Sequence, residues 1–173
     1  MSISGLEVAR AHWLFGALFL AMVLDEVGST LEVGTSRRPS YSLPLVLLLA
    51  GVGMWGASVF ANSVIDAVVH SLWGDVLLAA GSLELQRRRG RLRAWWGPLV
   101  VPIAVAVCGG LFLAHSDGPL SDPAARWHVL MGWALVMAGA AGVAWVRRQR
   151  QGWLMAYGTL LAAFSFLLLT FPR

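Results

Sequence analysis

The sequence predicts an all-α integral membrane protein with six transmembrane helices, built as three tandem helical hairpins within a single domain, residues 1–173. Three observations indicate this fold. The chain is 58% hydrophobic and 13% charged, whereas soluble domains carry about 25% charged residues. Six apolar segments are each long enough to cross about 30 Å of hydrocarbon. A His-x-Leu-x-Gly motif also occurs three times, at intervals of 58 residues.

Arginine-rich connections alternate with arginine-poor ones, and this alternation predicts the direction of each helix. The apolar segments cover residues 11–29, 43–61, 63–84, 95–115, 127–146 and 152–171. Ten of the 13 arginines follow the first, third or fifth segment. Because cytoplasmic loops are enriched in Arg and Lys, we expect these three connections in the cytoplasm. Both termini are then outside, and we expect the membrane to be a bacterial inner membrane.

The repeated motif predicts how the helices are grouped. It reads HWLFG, HSLWG and HVLMG, starting at His12, His70 and His128, and Pro44 recurs after the same interval as Pro102. One interval spans a helical hairpin with its connections, which gives three candidate repeats: 1–58, 59–116 and 117–173. Repeats inserted in the same sense are related by an axis along the membrane normal. We therefore expect a pseudo-threefold arrangement.

All four histidines are predicted to lie near the outer membrane surface. His12, His70 and His128 begin the helices that run inward, and His115 ends the fourth helix, which runs outward. Imidazole is the commonest protein metal ligand and a haem axial ligand, and polar residues inside a membrane are functional-site candidates. Two of these histidines would ligate one haem b, or three or four would bind copper or zinc. The alternative is that they only pack beside glycine in tight helix contacts.

Four acidic residues within the helices are candidates for orienting a ligand or forming an ion path. Asp66 lies one turn before His70 on the same helix face, where its carboxylate would orient the imidazole. Glu26 and Glu84 each follow a motif histidine by 14 residues, so each shares a helix face with that histidine. They would form a polar line for protons or ions, or would pair with Arg at the inner headgroups. Asp75, near the middle of helix three, is predicted either to face the bundle interior and find a donor there, or to be protonated.

One stretch places a histidine at the end of helix four and another at the start of helix five: LFLAHSDGP, followed by RWHVLMGWALVMAG. This pattern resembles small bacterial polytopic membrane proteins of the copper-resistance D-like or cytochrome b type, and the resemblance extends over helices three to five. It implies copper handling or haem-based electron transfer at the external side. It also implies that His115 and His128 are ligands, with His70 as a third.

The function that we expect is electron transfer through a haem b or metal site at the outer face. His70, His128 and either His12 or His115 would form the site. The sequence contains no nucleophile–base pair or nucleotide-binding motif, and we expect no independent catalytic activity.

Copper transport or copper tolerance is an alternative function, because Met131 follows His128 by one turn and Cys108 lies in helix four. Soft sulfur ligands favour copper(I). A third interpretation is a non-catalytic subunit of a larger membrane complex. The expected partners are the lipid bilayer and, beyond it, a redox partner, a larger membrane complex or further copies of the chain. Nucleic acid is not expected.

Overall fold

The computed structural model describes residues 5–31, 40–59, 63–114 and 121–171, and within these ranges the chain forms six long helices. They are α1 (Gly5–Leu31), α2 (Ser42–Val59), α3 (Val64–Arg88), α4 (Val100–Ala114), α5 (Pro123–Arg148) and α6 (Gln151–Leu169). Each is long and apolar enough to cross a membrane, α4 together with the short 3-10 turn that precedes it. The predicted all-α fold with six helices that are long and apolar enough to span a membrane is therefore confirmed.

Local chemistry explains where α3 and α4 begin. The hydroxyl oxygen of Ser63 accepts a hydrogen bond from the main-chain N–H of Asp66 at 3.0 Å, which caps the start of α3. Pro98 lies in the 3-10 turn Gly97–Leu99, and Pro102 lies in the first turn of α4. The first main-chain N–H groups of a helix have no partner within the helix, so proline is tolerated at both places.

The six helices form a closed ring. Each packs against the helices next to it in the chain, and α6 packs against α1 to complete the ring. The interior is filled by apolar side chains such as Met22, Trp73 and Phe112. Large apolar side chains such as Leu49 and Trp133 cover the outside as well. Such a surface would be costly in water but is solvated by lipid, so the fold supports a bilayer environment.

Glycine allows the closest helix contacts in the ring. A Cβ on Gly51 of α2 would lie 3.0 Å from the carbonyl oxygen of Gly74 of α3, and a Cβ on Gly74 would lie 3.0 Å from that of Gly51. Gly109 of α4 and Gly132 of α5 make the same reciprocal contact, at 2.7 and 3.1 Å. Only residues without a Cβ allow two helix backbones to approach so closely. These two contacts lie 58 residues apart in the sequence.

The glycine of the first motif closes the ring. A Cβ on Gly16 of α1 would lie 2.9 Å from the carbonyl oxygen of Ser165 in α6. Each of the three motif glycines therefore lies between an odd-numbered helix and the even-numbered helix before it, counting α6 as the helix before α1. A symmetry axis relating three repeats stays a prediction at this point.

Candidate functional site

The ring has two chemically different ends. Near one end, here called the histidine end, α1, α3 and α5 begin, and His12, His70 and His128 lie within about two turns of these helix starts. The same helices finish at the opposite end, here called the arginine end, where α3 carries Arg87 and Arg88 in its last turn.

His12 and His128 come together at the histidine end. Their ring centroids are 6.1 Å apart and their planes are inclined by 39°, although the residues are far apart in the sequence and belong to α1 and α5. Phe171, just beyond α6, stacks on His12 with a centroid distance of 3.9 Å and lies 5.5 Å from His128. The ring of Phe112 is 5.9 Å from that of His128. Two of the predicted ligands thus share one aromatic layer.

Among the described residues, His70 connects to this layer through other rings. It contacts Trp73 edge-on at 5.3 Å, and Trp73 in turn contacts Phe112 at 4.4 Å. Its Nδ1 lies 2.7 Å from the main-chain carbonyl oxygen of Asp66. Because a carbonyl can only accept, Nδ1 carries the proton and donates it in this hydrogen bond. The main-chain carbonyl of Asp66 therefore orients His70, and the predicted role of the Asp66 carboxylate stays a prediction.

A metal site formed by three or four histidines stays a prediction. His115 lies outside the described residues, so a ligand set that includes it is not tested. Within the described ranges, no group of three or more His, Cys, Asp or Glu side chains is arranged to hold a metal ion. Two sulfur-containing side chains are buried in the same bundle: Met131, which follows His128 by three residues on α5, and Cys108 on α4.

Buried charges form a cluster at the arginine end. Glu84, with only 2% of its side chain exposed, accepts hydrogen bonds from Nε and Nη2 of Arg87 at 2.6 and 2.7 Å. It also accepts one from Nε of Arg88 at 2.7 Å. Arg88 donates from Nη2 to Glu26 of α1 at 2.7 Å, and from Nη1 to the carbonyl oxygen of Ser40. This is the expected pairing of both glutamates with Arg, and it ties α1, α3 and the start of α2 together.

A cavity of about 190 Å³ lies beside this cluster and reaches into the bundle. Glu26, Glu84, Arg87 and Tyr157 contribute polar groups to its wall, which is otherwise mainly apolar. The volume is below the roughly 300–1,000 Å³ of typical sites for drug-sized ligands. The cavity therefore has room for a small solute or a few water molecules.

Aromatic rings lie between the two ends of the bundle. Phe164 contacts Phe19 of α1 at 5.8 Å and Phe112 of α4 at 5.9 Å, and Phe19 lies between His12 and Glu26 along α1. The predicted polar line from histidine to glutamate is therefore interrupted at this level by apolar rings.

Asp75 does not face the bundle interior, and that prediction was wrong. The buried face of α3 runs through Trp73, Gly74, Leu77 and neighbours at helical spacing, and Asp75 lies off this face, exposed on the outside of the ring. Its Oδ1 accepts a hydrogen bond at 3.2 Å from the indole N–H of Trp55 on α2. The expected hydrogen-bond donor to Asp75 is present, but on the outside of the ring.

Phe171, Phe112 and Trp55 are parts of these sites that the sequence did not predict. None of them belongs to the repeated motif, and an aromatic residue in an apolar segment carries no signal that separates packing from a ligand environment.

Comparison with protein families, curated proteins and solved structures found no match for the chain. The resemblance to copper-resistance D-like or cytochrome b-type proteins therefore stays an expectation.

Proposed function

We propose that this protein binds a soft metal ion, copper(I), between His12 and His128. The observation that supports this is the distance between their ring centroids, 6.1 Å. Metal–nitrogen bonds are about 2.0 Å long and each ring centre lies roughly 1 Å behind its nitrogen, so two imidazoles on one ion have centroids about 5–6 Å apart. The observed pair lies at the upper end of this range, which suits a wide N–metal–N angle.

The side chains around the pair favour a soft ion over a hard one. Met131 is fully buried one turn beyond His128, and its thioether is a ligand that copper(I) accepts and that calcium or magnesium does not. Among the described residues, Phe171 contacts both imidazoles, and Phe112 contacts that of His128. Neutral nitrogen and sulfur donors in an apolar setting are the chemistry expected for copper(I).

Haem b is less well supported than a metal ion at this place. Phe171 covers one face of His12, with the two planes inclined by only 7°, and Phe112 and Phe171 both contact His128. A porphyrin between the two histidines would have to displace these rings, whereas a single ion would not. Electron transfer through haem therefore stays the weaker proposal.

The proposed orientation places this site outside the cell. The arginine end carries the Arg-rich connections, and the positive-inside rule assigns it to the cytoplasm. The histidine end and both termini then face outward, and we propose a bacterial inner membrane. In this orientation the two histidines take up copper from the external side, as a copper transport or tolerance protein would require.

The recurring glycine contacts support three tandem repeats. Besides the two reciprocal glycine pairs, a Cβ on Gly81 would lie 3.0 Å from the carbonyl oxygen of Pro44, and a Cβ on Gly139 would lie 2.6 Å from that of Pro102. Both residues of the second contact lie 58 residues after the corresponding residues of the first. We propose that an even-numbered helix and the odd-numbered helix after it form the packing unit, with α6 and α1 as the third unit.

A copper(I) titration with matched histidine variants tests the proposal. The purified protein in mild detergent is titrated under reducing conditions against a chromophoric copper(I) chelator. We expect one ion per chain, and a fall in affinity of about tenfold or more in His12→Ala and in His128→Ala, since each loses one of two nitrogen ligands. His70→Ala is the matched control, because it removes the same motif residue at similar depth outside the pair.

Two results would overturn the proposal. One is unchanged affinity in His12→Ala and His128→Ala, and the other is an equal loss in His70→Ala. An absorption spectrum of the same preparation separates haem from copper. A Soret band that disappears in the variants would favour haem b.

A further inference from the structure

Asp75 is a carboxylate near mid-membrane depth on the lipid-facing side of the ring. It lies next to the midpoint of α3, a helix of 25 residues that spans the bilayer. Its side chain is exposed, and the indole N–H of Trp55, itself 51% exposed, donates to it at 3.2 Å. Ionisable residues at this depth are rare and almost always face protein or a water-filled cavity. Lipid alone is therefore an unsuitable neighbour for Asp75.

The fold does not need a carboxylate at this position. Ala17 on α1 and Trp133 on α5 lie 58 residues before and after Asp75, and both are exposed as well. The same outward position in the other two motif-bearing helices thus carries an apolar side chain. Helix packing does not account for Asp75.

The pair with Trp55 is specific to the α2–α3 hairpin. A Cβ on Gly74 would clash with Cδ1 of Trp55, so Gly74 leaves room for the indole to lie across α3 beside Asp75. At the matching place between α4 and α5, a Cβ on Gly132 would clash with Leu113, whose Cγ and Cδ2 would lie 2.8 Å from it. The glycine contact recurs between α4 and α5, and the polar pair does not.

We propose that Asp75 is the docking point for a transmembrane helix of another protein, one that carries a basic side chain at mid-membrane depth. Charge complementarity identifies the partner, because a cation is the group that best neutralises a carboxylate in a low-dielectric setting. The exposed apolar side chains of Val68 and Leu72 on the same helix, and of Val52 on α2, provide the packing surface around it.

Within the part of the chain that the structure describes, a second copy does not supply such a cation. All 13 cationic residues are Arg, and those within the described helices lie within about two turns of the helix ends. His70 lies five residues before Asp75, roughly 7 Å closer to the histidine end. In a second copy inserted in the same direction, these groups lie at the same depths as in the first copy, and none of those depths matches that of Asp75. The cation therefore belongs to a different chain.

Designed peptides test this proposal without knowledge of the natural partner. The full chain, labelled with a donor dye, is reconstituted in phosphatidylcholine vesicles with an acceptor-labelled poly-Leu transmembrane peptide bearing Lys at its centre. A peptide with Leu at the centre is the control, and association is measured by energy transfer. We expect the Lys peptide to associate about tenfold more strongly than the Leu peptide. Asp75→Asn should abolish this difference, and Trp133→Ala, at the equivalent lipid-facing position, should keep it.

Equal association of the two peptides with the unmodified protein would overturn the proposal, and this comparison needs no variant to fold. Retention of the Lys preference in Asp75→Asn would also overturn it. If the peptides do not differ while the protein associates with itself through Asp75, a second copy is the occupant and the proposal is wrong.

Discussion

Replacing Gly109 with Ala should force α4 and α5 apart. The added Cβ would lie 2.6 Å from the main-chain nitrogen of Val136 and 2.7 Å from the carbonyl oxygen of Gly132. Both atoms belong to the helix backbone, which cannot rotate away as a flexible side chain can. Ordinary contacts of a Cβ lie at 3.4–4 Å, so the two helices must separate over the whole contact. Overpacking of this kind costs about 1–3 kcal/mol.

The neighbouring glycine provides a matched control. A Cβ on Gly110 would meet nothing within 4 Å, so Gly110→Ala adds a methyl group without a clash. Alanine also favours the helix over glycine by up to about 1 kcal/mol, and this gain is common to both variants. It cancels in the comparison, and Gly109→Ala should be less stable than Gly110→Ala by about 1–3 kcal/mol.

The assay is equilibrium unfolding in mixed micelles of mild detergent and dodecyl sulfate, followed by the fluorescence of the nine tryptophans. Gly51→Ala and Gly56→Ala repeat the comparison in α2, where a Cβ on Gly51 would meet Gly74 and a Cβ on Gly56 would meet nothing within 4 Å. If the two members of either pair unfold with equal free energies, the close glycine contact does not limit helix packing, and the reasoning is refuted.

Two further predictions concern the arginine end and the orientation in the membrane. Glu84→Gln should destabilise the protein by about 2–4 kcal/mol, because a buried acceptor of three charge-assisted hydrogen bonds loses its charge. Glu26→Gln should cost less, about 1 kcal/mol, because the side chain of Glu26 is 25% exposed and water solvates part of it, and the same unfolding assay compares the two variants. In intact cells, a membrane-impermeant maleimide should label a cysteine placed at Ser121 but not one placed at Gln151. Cys108 is buried, so its own labelling should contribute little background. If only the Gln151→Cys variant is labelled, the orientation is opposite to the one proposed.

The sequence predicted the helices well because length and hydropathy determine whether a segment crosses a membrane. It also predicted that His12, His70 and His128 lie near the same end of the bundle, since each motif lies near the start of a helix that runs in the same direction. Depth alone does not say which histidines meet. Phe171 and Phe112 lie beside His12 and His128, whereas Trp73 lies between His70 and the layer. Which histidines meet depends on how the aromatic rings pack, and the 58-residue interval does not determine that packing.

The charged residues show the same division between local and long-range information. The pairing of Glu84 with Arg88 follows from their spacing of four residues on one helix. The link from Arg88 to Glu26 crosses 62 residues of sequence and depends on how α1 and α3 lie in the ring. For Asp75, comparison with Ala17 and Trp133 at the same register position would have indicated the lipid-facing side. The competing argument was that a carboxylate faces the interior of its own helix bundle, and for Asp75 that argument was wrong.

X-ray absorption at the copper edge of the one-to-one copper(I) complex tests the central claim most directly. The proposed site predicts two imidazole nitrogens at roughly 2.0 Å from the ion. One of them should be lost in His128→Ala, and both should be retained in His70→Ala. A spectrum without imidazole scattering, or one that is unchanged in His128→Ala, would contradict a copper site between His12 and His128.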